Sequence, residues 1–174
     1  MQQDRILPQM PDELRDETIE RTLGATSQEL WQSLWEAADA VETEASHGVW
    51  AGGEQVDALV VDGEERPVVQ MPFVTHSDAV NRLVQTLYQI GAIVPFDWQA
   101  WDGVERYRAA KALEHAPVAD AIRMLTAIVR ADRFAEGTIL MKLEDGTLTA
   151  ALRQLRKWYD DMIARRLGEQ SDRR

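Results

Sequence analysis

The chain has 174 residues, no cysteine and a formal net charge of -11 at pH 7. This length suits one domain, which buries roughly two thirds of the surface that the unfolded chain exposes. The lack of cysteine excludes disulfides, thiolate metal sites and cysteine nucleophiles. The acidic balance argues against non-specific binding to nucleic acid or to an anionic membrane, because both need a surplus of Lys and Arg.

The acidic residues are unevenly distributed. Residues 1–66 hold 16 acidic residues against four arginines, whereas residues 67–174 hold 14 acidic residues against 15 lysines and arginines. The asymmetry predicts an acidic surface, which is either simply solvated or docks a protein partner with a basic surface. Its carboxylates are Glu36, Asp39, Glu42, Glu44, Asp62, Glu64 and Glu65.

The histidines give no sign of a metal site. His47, His76 and His115 are scattered and form no pair at i,i+3 or i,i+4 spacing, which is the usual spacing of paired histidine ligands on a helix. We therefore predict no metal and no cofactor. The N-terminus lacks the basic start and apolar run of a signal peptide, and no stretch approaches the roughly 20 apolar residues of a membrane span. We expect a cytoplasmic protein.

The chain begins with a polar arm, residues 1–10, followed by a short acidic helix from about Pro11 to Gly24. A second helix is predicted over residues 27–46, because apolar residues recur there at 3.6-residue spacing. Thr26 and Glu29 have the spacing of a capping box at its start.

Trp31 and Trp35 lie four residues apart in this second helix, so they share one face. We interpret the pair as core packing against a neighbouring helix. The alternative is an exposed partner surface, and an exposed pair would also make a homodimer reasonable.

Two strands are predicted next, residues 56–61 and residues 68–71, joined by a turn at Asp62-Gly63. They form one small antiparallel β-hairpin. Two strands alone are only marginally stable, so we expect the hairpin to lie against helices.

An amphipathic helix, capped by Thr75 or Ser77, is predicted to run up to Gly91. Beyond it, Trp98 and Trp101 lie three residues apart on a single turn. We interpret the two indoles as a hydrophobic plug, with an aromatic ligand wall as the alternative.

The remaining chain is predicted to be helical. One helix covers residues 104–113, and a mostly buried helix begins near Val118. Residues 138–143 favour helix over strand. The last helix is capped by Thr147 and ends before Gly168.

The buried helix runs into a charged turn with the sequence RADRFAEG. Its two guanidiniums can clamp a phosphate or carboxylate, while one of its two carboxylates serves as base, metal ligand or ribose contact. This interpretation predicts a site for a small anionic or nucleotide-like ligand, used for binding or catalysis. The candidate ligand-binding residues are Arg130, Asp132, Arg133, Glu136, Trp98 and Trp101.

A structural interpretation of the same turn is also open. The four charged side chains then neutralise one another, Phe134 anchors the turn in the core and Gly137 ends the helix. The sequence contains no glycine-rich phosphate loop and no Ser/His/Asp set. No catalytic residue is therefore assigned.

Four segments of the chain together resemble a known family. They are VWAGGE (49–54), SDAVNRLVQTLY (77–88), FDWQAW (96–101) and TAIVRADRFAEGTILMKLEDGTL (126–148). They are similar to domain-of-unknown-function family 6508, a group of uncharacterised bacterial and phage proteins. The resemblance covers roughly residues 31–155. It implies a small, mostly helical bacterial protein and supplies no catalytic residues.

We therefore expect a mainly α (α+β) fold with about six helices and one small antiparallel β-hairpin. Residues 1–25 form the acidic arm and short helix, residues 26–168 a single globular domain, and residues 169–174 a frayed tail. An acidic protein with several tryptophans and no catalytic signature best fits a protein-interaction or regulatory module. The anionic-ligand site, binding or enzymatic, is the alternative.

Overall fold

The computed structural model describes residues 15–51, 55–61, 64–69 and 71–171. Within these ranges the chain forms eight helices and two short antiparallel strand pairs, so the predicted mainly α fold with a small β-hairpin is confirmed. The elements are α1 (Asp16–Ala25), α2 (Gln28–Thr43), β1 (Gly48–Ala51), β2 (Gln55–Val61), β3 (Glu64–Val69), β4 (Phe73–His76), α3 (Asp78–Gln89), α4 (Gly103–Arg106), α5 (Ala110–Leu113), α6 (Val118–Ala131), α7 (Thr138–Glu144) and α8 (Thr147–Ser171).

Serine side chains cap the starts of α2 and α3. The hydroxyl of Ser27 accepts a hydrogen bond from the Leu30 amide at 3.4 Å, and the hydroxyl of Ser77 accepts one from the amide three residues on at 3.2 Å. The predicted capping box of Thr26 and Glu29 is wrong, because Thr26 ends α1 and the serine that follows it caps α2.

Three predicted helix boundaries are also wrong. Helices α1 and α8 continue through Gly24 and Gly168, where stops were expected. Glycine costs about 1 kcal/mol in a helix, but burial of Leu23 outweighs that cost in α1. The predicted helix over residues 104–113 is two one-turn helices, because Tyr107 leaves helical geometry and buries its ring.

The four strands form two antiparallel pairs, which we together call the ribbon. In its inner part β1 pairs with β4, from Gly48 opposite His76 to Ala51 opposite Phe73. In its outer part β2 pairs with β3, which confirms the predicted hairpin. The predicted turn at Asp62-Gly63 lies outside the described residues, as do the arm and the helix start at Pro11.

Helix α6 lies at the centre of the core. Every residue from Val118 to Val129 is buried, which confirms the prediction of a mostly buried helix. It packs against α1, α4, α7 and α8. Within the described ranges, no helix is both long and apolar enough to cross a membrane.

The aromatic pair of α2 packs against α8. The rings of Trp31 and Trp35 stack with centroids 5.4 Å apart, and the ring of Tyr159 lies 4.8 Å from Trp31. Trp31 is only 1% exposed, so the interpretation as core packing is confirmed for it. Arg156 covers the half-buried Trp35 at 4.9 Å from the ring. The two indoles therefore do not form an exposed stripe.

Two charged residues inside α6 are held by a buried network. Arg123 donates one hydrogen bond to Asp120 at 2.8 Å and another to Asp16 of α1 at 2.6 Å. The Tyr107 hydroxyl donates to the second oxygen of Asp120 at 2.5 Å, and Arg106 lies 3.6 Å from that oxygen. An unpaired charge in this interior would cost several kcal/mol. Because the network pairs both charges, α6 is buried without this cost.

The Tyr107 hydroxyl gives this network a measurable pH dependence. Burial, together with the hydrogen bond to Asp120, raises the pKa of Tyr107 above its ordinary value of 10.0. When the pKa of a group is higher in the folded state than in the unfolded state, the group adds stability at pH values below its unfolded pKa. This stability is lost as the pH rises from the unfolded pKa through the folded pKa. Stability should therefore fall above about pH 10, as the unfolded chain gains tyrosinate.

Above about pH 10, we expect the free energy of unfolding to fall less steeply in Tyr107→Phe than in the wild type. At neutral pH the same variant should lose about 1.5–3 kcal/mol, because Asp120 is charged and loses a donor. Urea denaturation from neutral pH to about pH 11 measures both effects. Parallel pH curves for the two proteins would contradict the first expectation.

Candidate functional site

The two carboxylates of the RADRFAEG turn form hydrogen bonds with strand β4 of the ribbon. One oxygen of Asp132 lies 2.7 Å from Nε2 of His76, and the other accepts from the Ile139 amide at 3.0 Å. An oxygen of Glu136 accepts from the Val74 amide at 3.0 Å. Asp132 and its histidine partner are both only 15% exposed. Asp132 therefore binds both β4 and the start of α7, and Glu136 binds β4.

The two arginines of the turn are not neutralised by these carboxylates. Arg130 is half-buried and Arg133 is exposed, and neither forms an ion pair within the part of the chain that the structure describes. The expected mutual neutralisation is therefore wrong, since the carboxylates bind the ribbon and α7 instead. Two related expectations are wrong as well: Phe134 is 78% exposed, and α6 ends at Ala131, well before Gly137.

Gly137 brings the ribbon against the turn. It has a φ of +85°, in the left-handed region that favours glycine. A Cβ at this position would lie 2.4 Å from the ring of Trp50, so the indole packs directly on the glycine. Trp50 is nevertheless 57% exposed.

Phe134, at the tip of the turn, stacks on Trp98 with ring centroids 6.2 Å apart. Trp50 is also partly exposed and packs on Gly137, at the end of the same turn. We call Trp50, Trp98 and Phe134 the aromatic rim. Exposed apolar patches are typical of binding surfaces.

A cavity of about 240 Å³ adjoins the rim. The Trp98–Trp101 turn forms one wall and the C-terminal half of α6 forms another, with Val104 of α4 and Thr138 and Lys142 of α7 completing the enclosure. Most of the lining is apolar. The Lys142 ammonium donates to the carboxylate of Asp145 at 2.6 Å. Together with the hydrogen bonds from Thr147, this lysine lowers the pKa of Asp145, although burial acts in the opposite direction.

The structure divides the predicted ligand residues into three groups. Trp98 and Trp101 line the cavity, and Trp101 also packs against the core. The two carboxylates of the turn face the ribbon and α7. Arg130 and Arg133 are not among the residues that line the cavity. Within the described ranges, no group of three or more His, Asp or Glu side chains is placed to hold a metal ion.

The predicted acidic surface is partly neutralised by α8. Asp39 forms an ion pair with Arg156 at 2.8 Å, and Glu42 forms one with Arg153 at 3.4 Å. Asp62 lies outside the described residues. Exposed ion pairs of this kind contribute little stability, but they lower the negative potential that a basic partner would meet.

Several residues of this region escaped the sequence prediction. His76 was set aside with the other histidines, and its partner is 56 positions further along the chain, so no spacing could reveal the pair. Trp50 lies in the VWAGGE segment, but the sequence gives no sign that its indole packs on Gly137. Asp120 and Arg123 did carry a signal, because two opposite charges three residues apart stand out inside an apolar helix.

The comparison with protein families identifies the family to which the chain belongs. The family of unknown function DUF6508 matches residues 26–161, which is most of the chain. The chain belongs to the DUF6508 family. The matched region includes the ribbon, the aromatic rim and the cavity, whereas α1 precedes it. No curated protein and no solved structure matches this DUF6508 protein.

Gly137→Ala is expected to lower the free energy of unfolding by about 1–3 kcal/mol, because alanine is strained at positive φ and its methyl group would meet the Trp50 ring. Gly168→Ala is the matched control. No atom lies within 4 Å of a Cβ added to this glycine of α8, so the control should gain up to about 1 kcal/mol. Urea denaturation distinguishes the two, and equal effects would contradict the packing of Trp50 on Gly137.

Proposed function

We propose that this DUF6508 protein is a protein-interaction module whose docking surface is the aromatic rim with the adjoining cavity. The observation that carries the proposal is the exposure of two large aromatic side chains at the RADRFAEG turn, 57% for Trp50, which packs on Gly137, and 78% for Phe134. Aromatic residues are enriched among the residues that dominate the binding energy of protein interfaces. The partly open cavity that Trp98 helps to line offers a site for an anchoring side chain.

The groups around the cavity suit recognition better than catalysis. Asp132 and Glu136, the carboxylates that a base or metal ligand would require, already bind the ribbon and α7. Lys142 in the cavity wall is paired with Asp145. The apolar lining favours the burial of an apolar group. A regulatory role follows if docking alters the partner's activity, and a cytoplasmic location is part of this proposal.

The acidic surface remains a separate proposal for contact with a basic partner. Two of its carboxylates, Asp39 and Glu42, have arginine partners in α8. A complex formed through this surface would weaken steeply with added salt, since exposed charges are screened within about 10 Å. A complex formed through the aromatic rim should depend mainly on apolar contacts and less on salt.

Binding of a small molecule is a second candidate function. The observation that favours it is the partly open cavity of about 240 Å³ that Trp98, Trp101 and α6 line. A ligand that binds only the folded state raises the melting temperature. A thermal-shift screen with nucleotides, phosphorylated metabolites and aromatic acids tests this function. A shift that disappears in Trp98→Ala would support it, and a flat screen would count against it.

The interaction proposal is tested by comparing proteins captured from the native host by the wild type and by Phe134→Ala. Because Phe134 is mostly exposed, the variant should stay folded while its specific partner is depleted by at least about tenfold. Leu167→Ala is the matched control, since Leu167 is 62% exposed on α8. Retention of the same partners by Phe134→Ala would contradict the proposed docking surface. Mass spectrometry quantifies the captured proteins.

A further inference from the structure

We infer that the cavity beside α6 and a second cavity that adjoins it form one binding site for an uncharged small molecule, which has an aromatic ring at one end and a short polar group at the other. This inference rests on the second candidate function, the binding of a small molecule, and adds the chemical class of the ligand. It depends on the space that the two cavities provide together, on the aromatic wall of the first cavity and on the charges in their lining.

The second cavity lies against the first. It has a volume of about 180 Å³, and Val104, Met124 and Lys142 line both cavities. Each cavity alone is smaller than the roughly 300–1,000 Å³ of pockets that hold small molecules, whereas the two together fall within that range. Met124 is buried, but Val104 and Lys142 are partly exposed. A molecule that runs along this shared wall can therefore occupy both cavities.

The first cavity has an aromatic wall that its neighbours hold in place. The ring of Trp101, which lines this cavity, packs so closely on Gly103 that the glycine has no room for a Cβ. The same ring meets Phe96 edge-on with centroids 5.8 Å apart, and Tyr107 lies 6.4 Å from it. A wall that is already in place costs little entropy when a ligand binds. Apolar residues of α6, including Ile128, line the same cavity, so it suits a flat apolar ring.

Every charged side chain in the lining of the two cavities has an opposite charge beside it. Among the described residues, the charged side chains of the lining are Glu105, Arg108 and Lys142. Glu105 and Arg108 form an ion pair at 3.4 Å, and Lys142 pairs with Asp145 at 2.6 Å. A charged ligand of either sign would have to displace one member of a pair and would lose hydration as well. The lining therefore favours an uncharged molecule.

Lys142 can also hold the polar end of the ligand. An ammonium group has more than one N–H donor, and within the described ranges the hydrogen bond of Lys142 goes to Asp145. Because Lys142 lines both cavities, a neutral carbonyl or hydroxyl oxygen between them can accept from a remaining donor. Most residues that line the second cavity are polar, Thr147 among them. The polar end therefore lies towards the second cavity, and the ring lies in the first.

The test uses three probes with the same ring and a similar length. Phenylpropionamide is uncharged, phenylpropionate is anionic and phenylpropylamine is cationic at neutral pH. Each probe is titrated into the full wild-type chain while NMR records the indole N–H signals. The signals of Trp98 and Trp101, assigned with Trp98→Phe and Trp101→Phe, should shift, whereas that of Trp31 in the core should not. The amide should bind at least about tenfold more tightly than either charged probe.

Benzamide tests whether the ligand uses both cavities. It has the same ring and the same amide as phenylpropionamide but lacks the methylene groups between them, so it fills only one cavity. Phenylpropionamide should bind about tenfold more tightly, because its additional methylene groups are buried. Equal affinities of the two amides would overturn the combined site.

Two variants that each remove one charge of the Lys142–Asp145 pair test the selection by charge. In Asp145→Asn the lysine loses its counter-ion, so the preference should shift towards phenylpropionate. In Lys142→Met the carboxylate loses its counter-ion, so the preference should shift towards phenylpropylamine. The affinity for the amide should also fall by about tenfold in Lys142→Met, because the donor is lost. Both variants should stay folded, since the pair is partly exposed and asparagine can still accept from the Thr147 amide.

Ala131→Leu blocks the first cavity. Ala131 lines this cavity and is partly exposed, so the larger side chain takes up ligand space without entering the core. This variant should abolish the signal shifts caused by all the probes. Ala164→Leu is the matched control, because Ala164 is exposed on α8 and lines neither cavity. Both variants should keep a melting temperature close to that of the wild type.

The outcomes separate this inference from the functions proposed above. Equal affinities of the three probes, or an unchanged preference in the two charge variants, overturn the uncharged ligand and leave the cavity as a small-molecule site. Binding that persists in Ala131→Leu overturns the site itself. If no probe shifts the Trp98 and Trp101 signals, the inference fails, and the thermal-shift screen decides the small-molecule function. Docking of a protein at the aromatic rim is tested separately by capture with Phe134→Ala, so either proposal can fail without the other.

Discussion

The enclosure of α6 by other elements determines the arrangement of the fold. Asp120 and Arg123 lie inside this helix and pair with each other, and each has a further partner from outside it. Tyr107 and Asp16 supply them, which brings the α4–α5 connection and α1 against the same helix. The C-terminal half of α6 then forms a wall of the cavity. One buried helix thus supports both the scaffold and the proposed docking surface.

Helices with a strong 3.6-residue period could be predicted from the sequence, because burial of one apolar face is recorded in the spacing. This applies to α2, α3 and α8, and the apolar residues of α6, which cannot all lie on one face, indicated its burial. The ends were less predictable. Gly24 and Gly168 are weak helix formers, but neither stops its helix. The four-residue strands β1 and β4 are too short to show a period.

The charged turn was recognised from its composition, but the roles of its side chains depend on contacts that composition does not record. Asp132 meets His76 because β4 lies against the turn, a contact between positions far apart in the chain. Likewise, Phe134 follows an apolar helix and was expected inside, whereas α6 ends at Ala131 and Phe134 lies exposed beyond it. The indoles of Trp98 and Trp101 could be located by sequence, but the cavity between them and α6 could not.

Gly137 has a consequence for how DUF6508 sequences can diverge. Its position is constrained twice, by a left-handed backbone and by the indole of Trp50. A smaller residue at position 50 would remove the second constraint and leave the first unchanged, so glycine would still be favoured at position 137. A larger residue at position 137, by contrast, would violate both constraints at once. Divergence at this pair is therefore expected to run in one direction, with position 50 free to vary while the glycine is kept.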